Sequence, residues 1–173
     1  AQGQLFTTSL EKSFFSSPAA CIKSIDARLN KLRKKYSDNE IKDISALEEL
    51  KRALGNITPA DFSRYQQLLS LLKDKEYGWT GATDDRVVIF TERIETMKYL
   101  AARLREDLKL PANAIQEISG AMSDAEQQTI VENFGREEAP IRVLVASDVA
   151  SEGLNLHSLR HRMIHFDIPW SLM

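Results

Sequence analysis

Arg86-Val87-Val88-Ile89-Phe90-Thr91-Glu92 is the stretch that decides the fold. Val87–Phe90 is a short apolar run with no polar alternation, which fits a strand buried on both faces of a sheet. Ile94–Leu108 follows with Met97, Leu100, Ala101 and Leu104 at helical spacing. Ala114–Ser119 reads as a second strand. Ser123, with Glu126 three residues later, opens the next helix through a capping box, and Ile130, Val131 and Phe134 give that helix an apolar side up to about Gly135. Ile141–Ala146 and Met163–Phe166 read as the third and fourth strands. Alternation of this kind predicts an α/β fold: a mostly parallel sheet with helices on both faces.

Upstream of Arg86 the rhythm is helical. Leu5, Leu10, Phe14 and Phe15 begin an apolar stripe that Ser16-Ser17-Pro18 interrupts. Ser17 is a suitable N-cap with Pro18 at the first helical position, and Ala20, Ile22, Ile25, Leu29 and Leu32 carry the next helix to about Tyr36. A helix over Ile41–Leu54 is expected to end at Gly55-Asn56 in a left-handed cap. Thr58-Pro59, with Asp61 after it, predicts a restart, and Phe62, Tyr65, Leu68, Leu69 and Leu72 face inward from it. Residues 77–85, with two glycines and no periodicity, read as a linker. The sequence thus divides into a helical region or insertion, 1–80, and an α/β domain, 81–173.

A chain of 173 residues with 43% hydrophobic and 28% charged residues suits one soluble domain with an appendage. One cysteine, Cys21, excludes an internal disulfide framework and a cysteine-based zinc finger, and reads as a small buried hydrophobe. The net charge is −2 and unevenly spread. Residues 1–80 hold 13 Lys and Arg against 10 Asp and Glu, and residues 81–173 hold 10 against 15. Any nucleic-acid contact must therefore be local rather than driven by bulk charge. No apolar run approaches a membrane span and Leu5-Phe6 is too short for a signal-peptide core. Ala1 and the closing Pro169-Trp170-Ser171-Leu172-Met173 read as internal positions, so the chain is expected to be part of a longer protein.

Several chemistries find no support. No Gly precedes a Lys, so there is no Walker A loop, and no Gly-x-Gly-x-x-Gly dinucleotide fingerprint occurs. His157, His161 and His165 would share a helical face and suggest a metal, but a strand over 163–166 would scatter them. Ser147 lacks the nucleophile elbow of a hydrolase. The informative stretch is Val143-Leu144-Val145-Ala146-Ser147-Asp148, running on to Ser151-Glu152-Gly153-Leu154-Asn155-Leu156. A buried strand ends there in a hydroxyl and runs into a helical turn. Ligands of open α/β sheets gather at such strand ends, and free N–H groups of the turn can face a phosphate. Ser147 and Asp148 could equally just cap a helix. Thr91 after the first strand and Ser119-Gly120 after the second repeat the theme, and hydroxyls along one rim suit a phosphate backbone.

In this order the segments resemble the second, C-terminal RecA-like lobe of superfamily-two helicases in the Swi/Snf style. Arg86–Glu92 looks like motif four. Ile118–Glu126, with Gly120-Ala121-Met122-Ser123, looks like the stretch that follows it. Ser147–Leu156 looks like motif five, and Met163–Ser171, with Asp167-Ile168-Pro169-Trp170, looks like the strand and turn beyond. The Ser151-Glu152-Gly153 and Asp167-Ile168-Pro169 pieces are most similar to the bacterial RNA-polymerase-associated ATPase branch. Leu10–Ala20 also resembles the helical segment before this lobe in bacterial members.

The resemblance implies one wall of an ATP cleft and part of a duplex-binding surface in a DNA-dependent ATPase motor, a translocase or remodeller rather than an unwinding enzyme. It puts Thr91, Ser119, Gly120 and Ser147 on the nucleic-acid side and Gly153 and Asn155 on the ATP side; Asn155 stands where DEAD-box relatives carry Asp. It implies double-stranded DNA, ATP and the first RecA-like lobe as partners, Mg²⁺ held by that first lobe, and a bacterial cytoplasmic location. Family members carry a Gln-x-x-Gly-Arg-x-x-Arg motif after the Pro-Trp turn, and the phosphate loop and metal carboxylates sit in the first lobe. None of these lies within the 173 residues, so no catalytic residue is assigned here and the chain alone is expected to be inactive. Two other readings stay open: a non-catalytic α/β binding module, and a helical protein–protein adaptor in residues 5–76. Lys31-Leu32-Arg33-Lys34-Lys35 reads either as a phosphate contact or as a solvated helix end favoured by the helix dipole.

Overall fold

The computed structural model describes residues 2–35, 41–147 and 161–167, in two compact units, Ala1–Phe62 and Ser63–Met173. The first unit holds α1 (Gln2–Ser16), α2 (Pro18–Lys35) and α3 (Ile41–Gly55). Ser17 caps α2 as expected, its hydroxyl accepting from the Ala20 N–H at 3.1 Å, with Pro18 at the first helical position. Cys21, Ile25, Leu29 and Leu54 form the core, with Leu10, Ile22, Ile44, Leu47 and Leu50 against it. Of the expected α1 stripe Leu10 joins this core, while Leu5, Phe14 and Phe15 are exposed. Small residues let the two helices approach instead, with Ser13 buried and its hydroxyl 2.5 Å from that of Ser24.

Two further expectations change in this unit. Gly55 has no positive φ, so α3 does not end in a left-handed cap; the N–H groups of Asn56 and Ile57 return to Ala53 and Leu54 and tighten the last turn. Thr58 and Asp61 do not start a helix. The Asp61 carboxylate accepts from the Thr58 N–H at 3.0 Å and its hydroxyl at 2.6 Å, closing a separate turn.

The second unit begins with α4 (Ser63–Lys73), so the units divide after Phe62 rather than after residue 80. Tyr65 belongs to the α/β side. It is fully buried, packs edge-on to Tyr99 and donates its hydroxyl to Asp107 at 2.5 Å. The sheet follows: β1 (Arg86–Thr91), α5 (Ile94–Asp107), a short 3-10 turn, β2 (Ile115–Ile118), α6 (Asp124–Phe134), β3 (Val143–Ser147) and β4 (His161–His165). All the pairings are parallel, in the order β2-β3-β1-β4, with Val87 opposite Val143 and Phe90 opposite His165. Val88, Phe90, Ile118, Leu144 and Ala146 pack against Phe134, Met122, Ile130 and Val131 of the α6 side. Strand alternation turns Val87, Ile89, Val143 and Val145 to the other face, where α5 buries Met97, Leu100, Ala101 and Leu104. The Ser123–Glu126 capping box is present at the start of α6.

Residues 77–85 are not a free linker. Arginines at the amino-terminal edge of the sheet hold their carbonyls. Arg86 Nε donates to Thr83 O at 2.8 Å, Arg142 Nε to Gly81 O at 3.1 Å, and Arg162 to Tyr77 O at 2.6 Å and Gly78 O at 3.2 Å. Arg162 also pairs with Asp85 at 3.0 Å. Gly78 and Gly81 both sit at φ +67°, a backbone that suits glycine and shapes the strap. The rest of the Arg86 guanidinium is buried against Phe134 and donates to the carbonyls of Phe134, Arg136, Glu137 and Ala139 after α6. Burial pushes its pKa below the ordinary arginine value, with Arg142 adding to the same direction.

Candidate nucleic-acid interface

Parallel strands that begin together end together, so the hydroxyls expected on one rim are brought to one edge. Thr91 and Ser147 are register partners. Ile118 lies opposite Ala146, which places Ser119 at the level of Ser147. All three hydroxyl residues are buried, and Gly120 beyond them is exposed in the turn that Met122 closes with its N–H on Ser119 O at 3.1 Å. Gly153 and Asn155, expected on the ATP side, lie outside the described residues, as do Asp148 and His157.

The rim hydroxyls are not equivalent. Thr91 donates to Asp167 Oδ2 at 2.8 Å, and the Glu92 N–H donates to Asp167 Oδ1 at 2.8 Å. The Phe166 N–H reaches Phe90 O at 2.8 Å just before. The Asp167 carboxylate therefore ties the end of β4 to the first residue of the β1–α5 loop. Ser147 Oγ is the reverse case: among the described residues it is buried with no hydrogen-bond partner. A buried hydroxyl left unpaired costs about 1–3 kcal/mol on mutational scales, so its position carries a ligand-sized question.

Sequence reasoning missed Asp167 and Arg64. In sequence, Asp167 reads only as part of a turn motif. The available signal was an acid leaving a strand beside a strand that ends in Thr91. Arg64, in the first turn of α4, lies 5.9 Å over the Phe166 ring and brings a cation to the same end of β4. The histidines of β4 pack on rings instead of gathering: His161 meets Phe134 edge-on and His165 stacks on Phe90 at 5.2 Å. Among the described residues no group of three His, Cys, Asp or Glu side chains is placed to hold a metal. The rim acid Asp167 already accepts on both oxygens. The described residues thus do not fit a magnesium site. A cavity of about 440 Å³ lined in part by Asn113, Gln116 and Arg136 opens at the opposite, amino-terminal edge.

A parallel sheet in this order, covered by helices, is the fold of a RecA-like helicase C-terminal lobe. Residues 63–173 match the helicase conserved C-terminal domain, and the chain belongs to that family. It is 33% identical over 110 residues to the ATP-dependent RNA helicase RhlB of Pseudomonas syringae pv. tomato, covering 64% of this chain and 24% of that protein. It is 29% identical over 109 residues to the RNA polymerase-associated protein RapA of Vibrio campbellii, covering 63% of this chain and 10% of that protein. The Sulfolobus solfataricus SWI2/SNF2 ATPase core, solved in complex with dsDNA, shares the fold at a TM-score of 0.53 and 21% identity. The match covers 87% of this chain and 32% of that one. The chain spans about a quarter or less of these curated relatives.

Proposed function

We propose that the chain is part of the second lobe of a Swi/Snf-like, DNA-dependent ATPase that translocates on duplex DNA, and that its carboxyl rim holds the phosphate backbone. The observation that carries this reading is the buried Ser147 hydroxyl, unpartnered among the described residues, at the end of β3 beside Ser119 and the exposed Gly120 turn. A phosphate oxygen would supply the missing acceptor. Thr91 serves in this reading as a fastener for the loop through Asp167, rather than as a phosphate donor. Gly153 and Asn155 are assigned to the ATP side, and the magnesium ion and phosphate loop to a first lobe. In the full protein, ATP bound between the two lobes would close them and its hydrolysis would let them reopen, moving the rim along one strand. Support for DNA comes from a fold neighbour solved in complex with dsDNA.

RNA is the second reading, favoured by the 33% identity to the RNA helicase RhlB. Both are tested in the protein that contains this lobe, with ATP turnover measured against duplex DNA and against RNA. Duplex-stimulated turnover, with Ser147→Ala losing stimulation more than basal rate, supports the translocase. Stimulation by RNA alone overturns it. The 173-residue chain by itself should release no phosphate with or without nucleic acid, because phosphoryl transfer needs a phosphate cradle and an arginine finger as well as this wall. Turnover by the purified chain would overturn that assignment.

A further inference from the structure

The cations of α2 whose side chains are described fall into two sets. Arg28 lies 5.2 Å over the Phe6 ring, and Arg33 pairs with Glu48. The helix's one acid, Asp26, accepts from Lys51 Nζ at 2.6 Å. Cys21, Ile25, Leu29 and Leu32 turn inward. What remains outward is Lys23, Ala27, Asn30, Lys31 and Lys34, all exposed. At 3.6 residues per turn Lys34 returns to within about 20° of Lys23, with Lys31 beside them, so the three lysines line one arc. That arc contains no acid, and among the described residues none of the three has an ion-pair partner.

We propose that this face of α2 is a docking surface for the phosphate backbone of duplex DNA, separate from the rim. Capping of the helix dipole does not account for it: that effect is confined to the last turn, whereas Lys23 stands about three turns before the end. The stripe runs roughly 16 Å along the helix. A duplex presents one charge per about 1.7 Å of its axis, twice the density of a single strand, so a short straight row of cations gains most from a duplex. Ala27 and Asn30 keep the space between the lysines low and uncharged, which lets the row approach a backbone. The choice of DNA rests on the translocase reading above; the surface itself does not.

The test uses the isotopically labelled 173-residue chain, titrated with a short DNA duplex at low salt and followed by amide chemical shifts. Shifts at Lys23, Ala27, Asn30, Lys31 and Lys34 are expected. The Lys23, Lys31 and Lys34→Gln triple variant keeps helix propensity and should lose roughly tenfold in affinity. The slope of log affinity against log salt should fall by about 2.7, at roughly 0.9 per phosphate contact removed. The matched Lys73, Lys75 and Lys98→Gln variant should keep both values. Shifts confined to Ser119, Gly120 and Ser147 would overturn the α2 surface and leave the rim reading standing. Shifts on α2 without shifts on the rim would support the surface and count against the rim. Equal losses in the two triple variants would overturn it, because bulk charge would then explain the binding. So would equally tight binding of single-stranded DNA or polyglutamate at the same charge concentration.

Discussion

Ser147→Ala and Thr91→Val are expected to change stability in opposite directions, although the two residues face each other across one rung of the sheet. Ser147 Oγ is buried without a partner among the described residues, so the folded chain carries the desolvation cost of a hydroxyl, about 1–3 kcal/mol on mutational scales. Alanine removes that cost and leaves a gap one oxygen wide, which returns part of the gain. The net expectation is a stabilisation of about 1 kcal/mol. Thr91→Val keeps shape and removes a hydroxyl that donates to a carboxylate at 2.8 Å. Hydrogen bonds to charged groups contribute about 1.5–3 kcal/mol, and the bereft Asp167 oxygen stays buried, so a loss of about 2 kcal/mol is expected. The assay is urea unfolding read by tryptophan fluorescence, since Trp79 donates to Asp85 O at 2.9 Å within the sheet unit and reports on it. At a urea slope of about 1–3 kcal/mol per molar, the midpoint should rise by a few tenths of a molar or more for Ser147→Ala and fall by about twice as much for Thr91→Val. A destabilised Ser147→Ala would refute the reasoning: its hydroxyl would then be bonded in the folded chain, and the rim would have no spare donor to offer a phosphate.

Arg86→Met should destabilise the unit by at least about 3 kcal/mol, because carbonyls after α6 and in the 77–85 strap lose their donor together; thermal melting checks it. Tyr65→Phe should cost about 1.5–3 kcal/mol through the lost bond to the Asp107 carboxylate, measured by urea midpoint. Asp85 is the pH-sensitive clamp on the strap. Burial would raise its pKa, but hydrogen bonds from Arg162 and from the Thr80 N–H and hydroxyl outweigh burial and hold it below the ordinary carboxylate range. Its contribution is complete above about pH 4, the unfolded value, and is lost as pH falls through the lower folded value. Asp85→Asn should therefore flatten the fall in unfolding midpoint below about pH 4 relative to the unmodified chain.

The elements legible in the sequence were those decided locally. Val87–Phe90 and Val143–Ala146 are apolar runs that only a doubly covered sheet can bury, and Ser17-Pro18 and Ser123–Glu126 are caps that a few neighbouring residues complete. What was not legible depends on partners far along the chain. The 77–85 strap looks like a linker because its order comes from Arg142 and Arg162, and α4 looks like part of the helical region because Asp107 and Tyr99 fix Tyr65. Phe14 and Phe15 satisfy a helical stripe, yet the close approach of α1 and α2 selects Ser13. At the rim, the strand ends predicted which residues share an edge. They did not predict that Thr91 is already engaged, since its acceptor lies 76 residues away.

That engagement sets how the rim can work. A loop that is to follow a phosphate strand must be held in place before the ligand arrives, because a disordered donor would lose on ordering what a neutral hydrogen bond returns, about 0.5–1.5 kcal/mol. Asp167 supplies the holding: one carboxylate takes the Thr91 hydroxyl and the Glu92 N–H and so fixes the start of the β1–α5 loop relative to β4. Its negative charge would repel a phosphate if it were exposed and free, but it is buried and bonded on both oxygens. The neighbouring Ser147 hydroxyl has no partner among the described residues, and its strand lies between two others. In the proposed reading the two hydroxyls therefore divide the labour, Thr91 making the edge rigid and Ser147 serving a phosphate. Asp167→Asn separates these roles. Its amide oxygen can still accept from one donor, but its NH2 group cannot accept from the other, so the loop should loosen while Ser147 is untouched. Amide exchange should then rise at Glu92 and Arg93 and stay unchanged at Ser147. Equal protection at Glu92 in both forms would show that the loop is held by something other than this carboxylate.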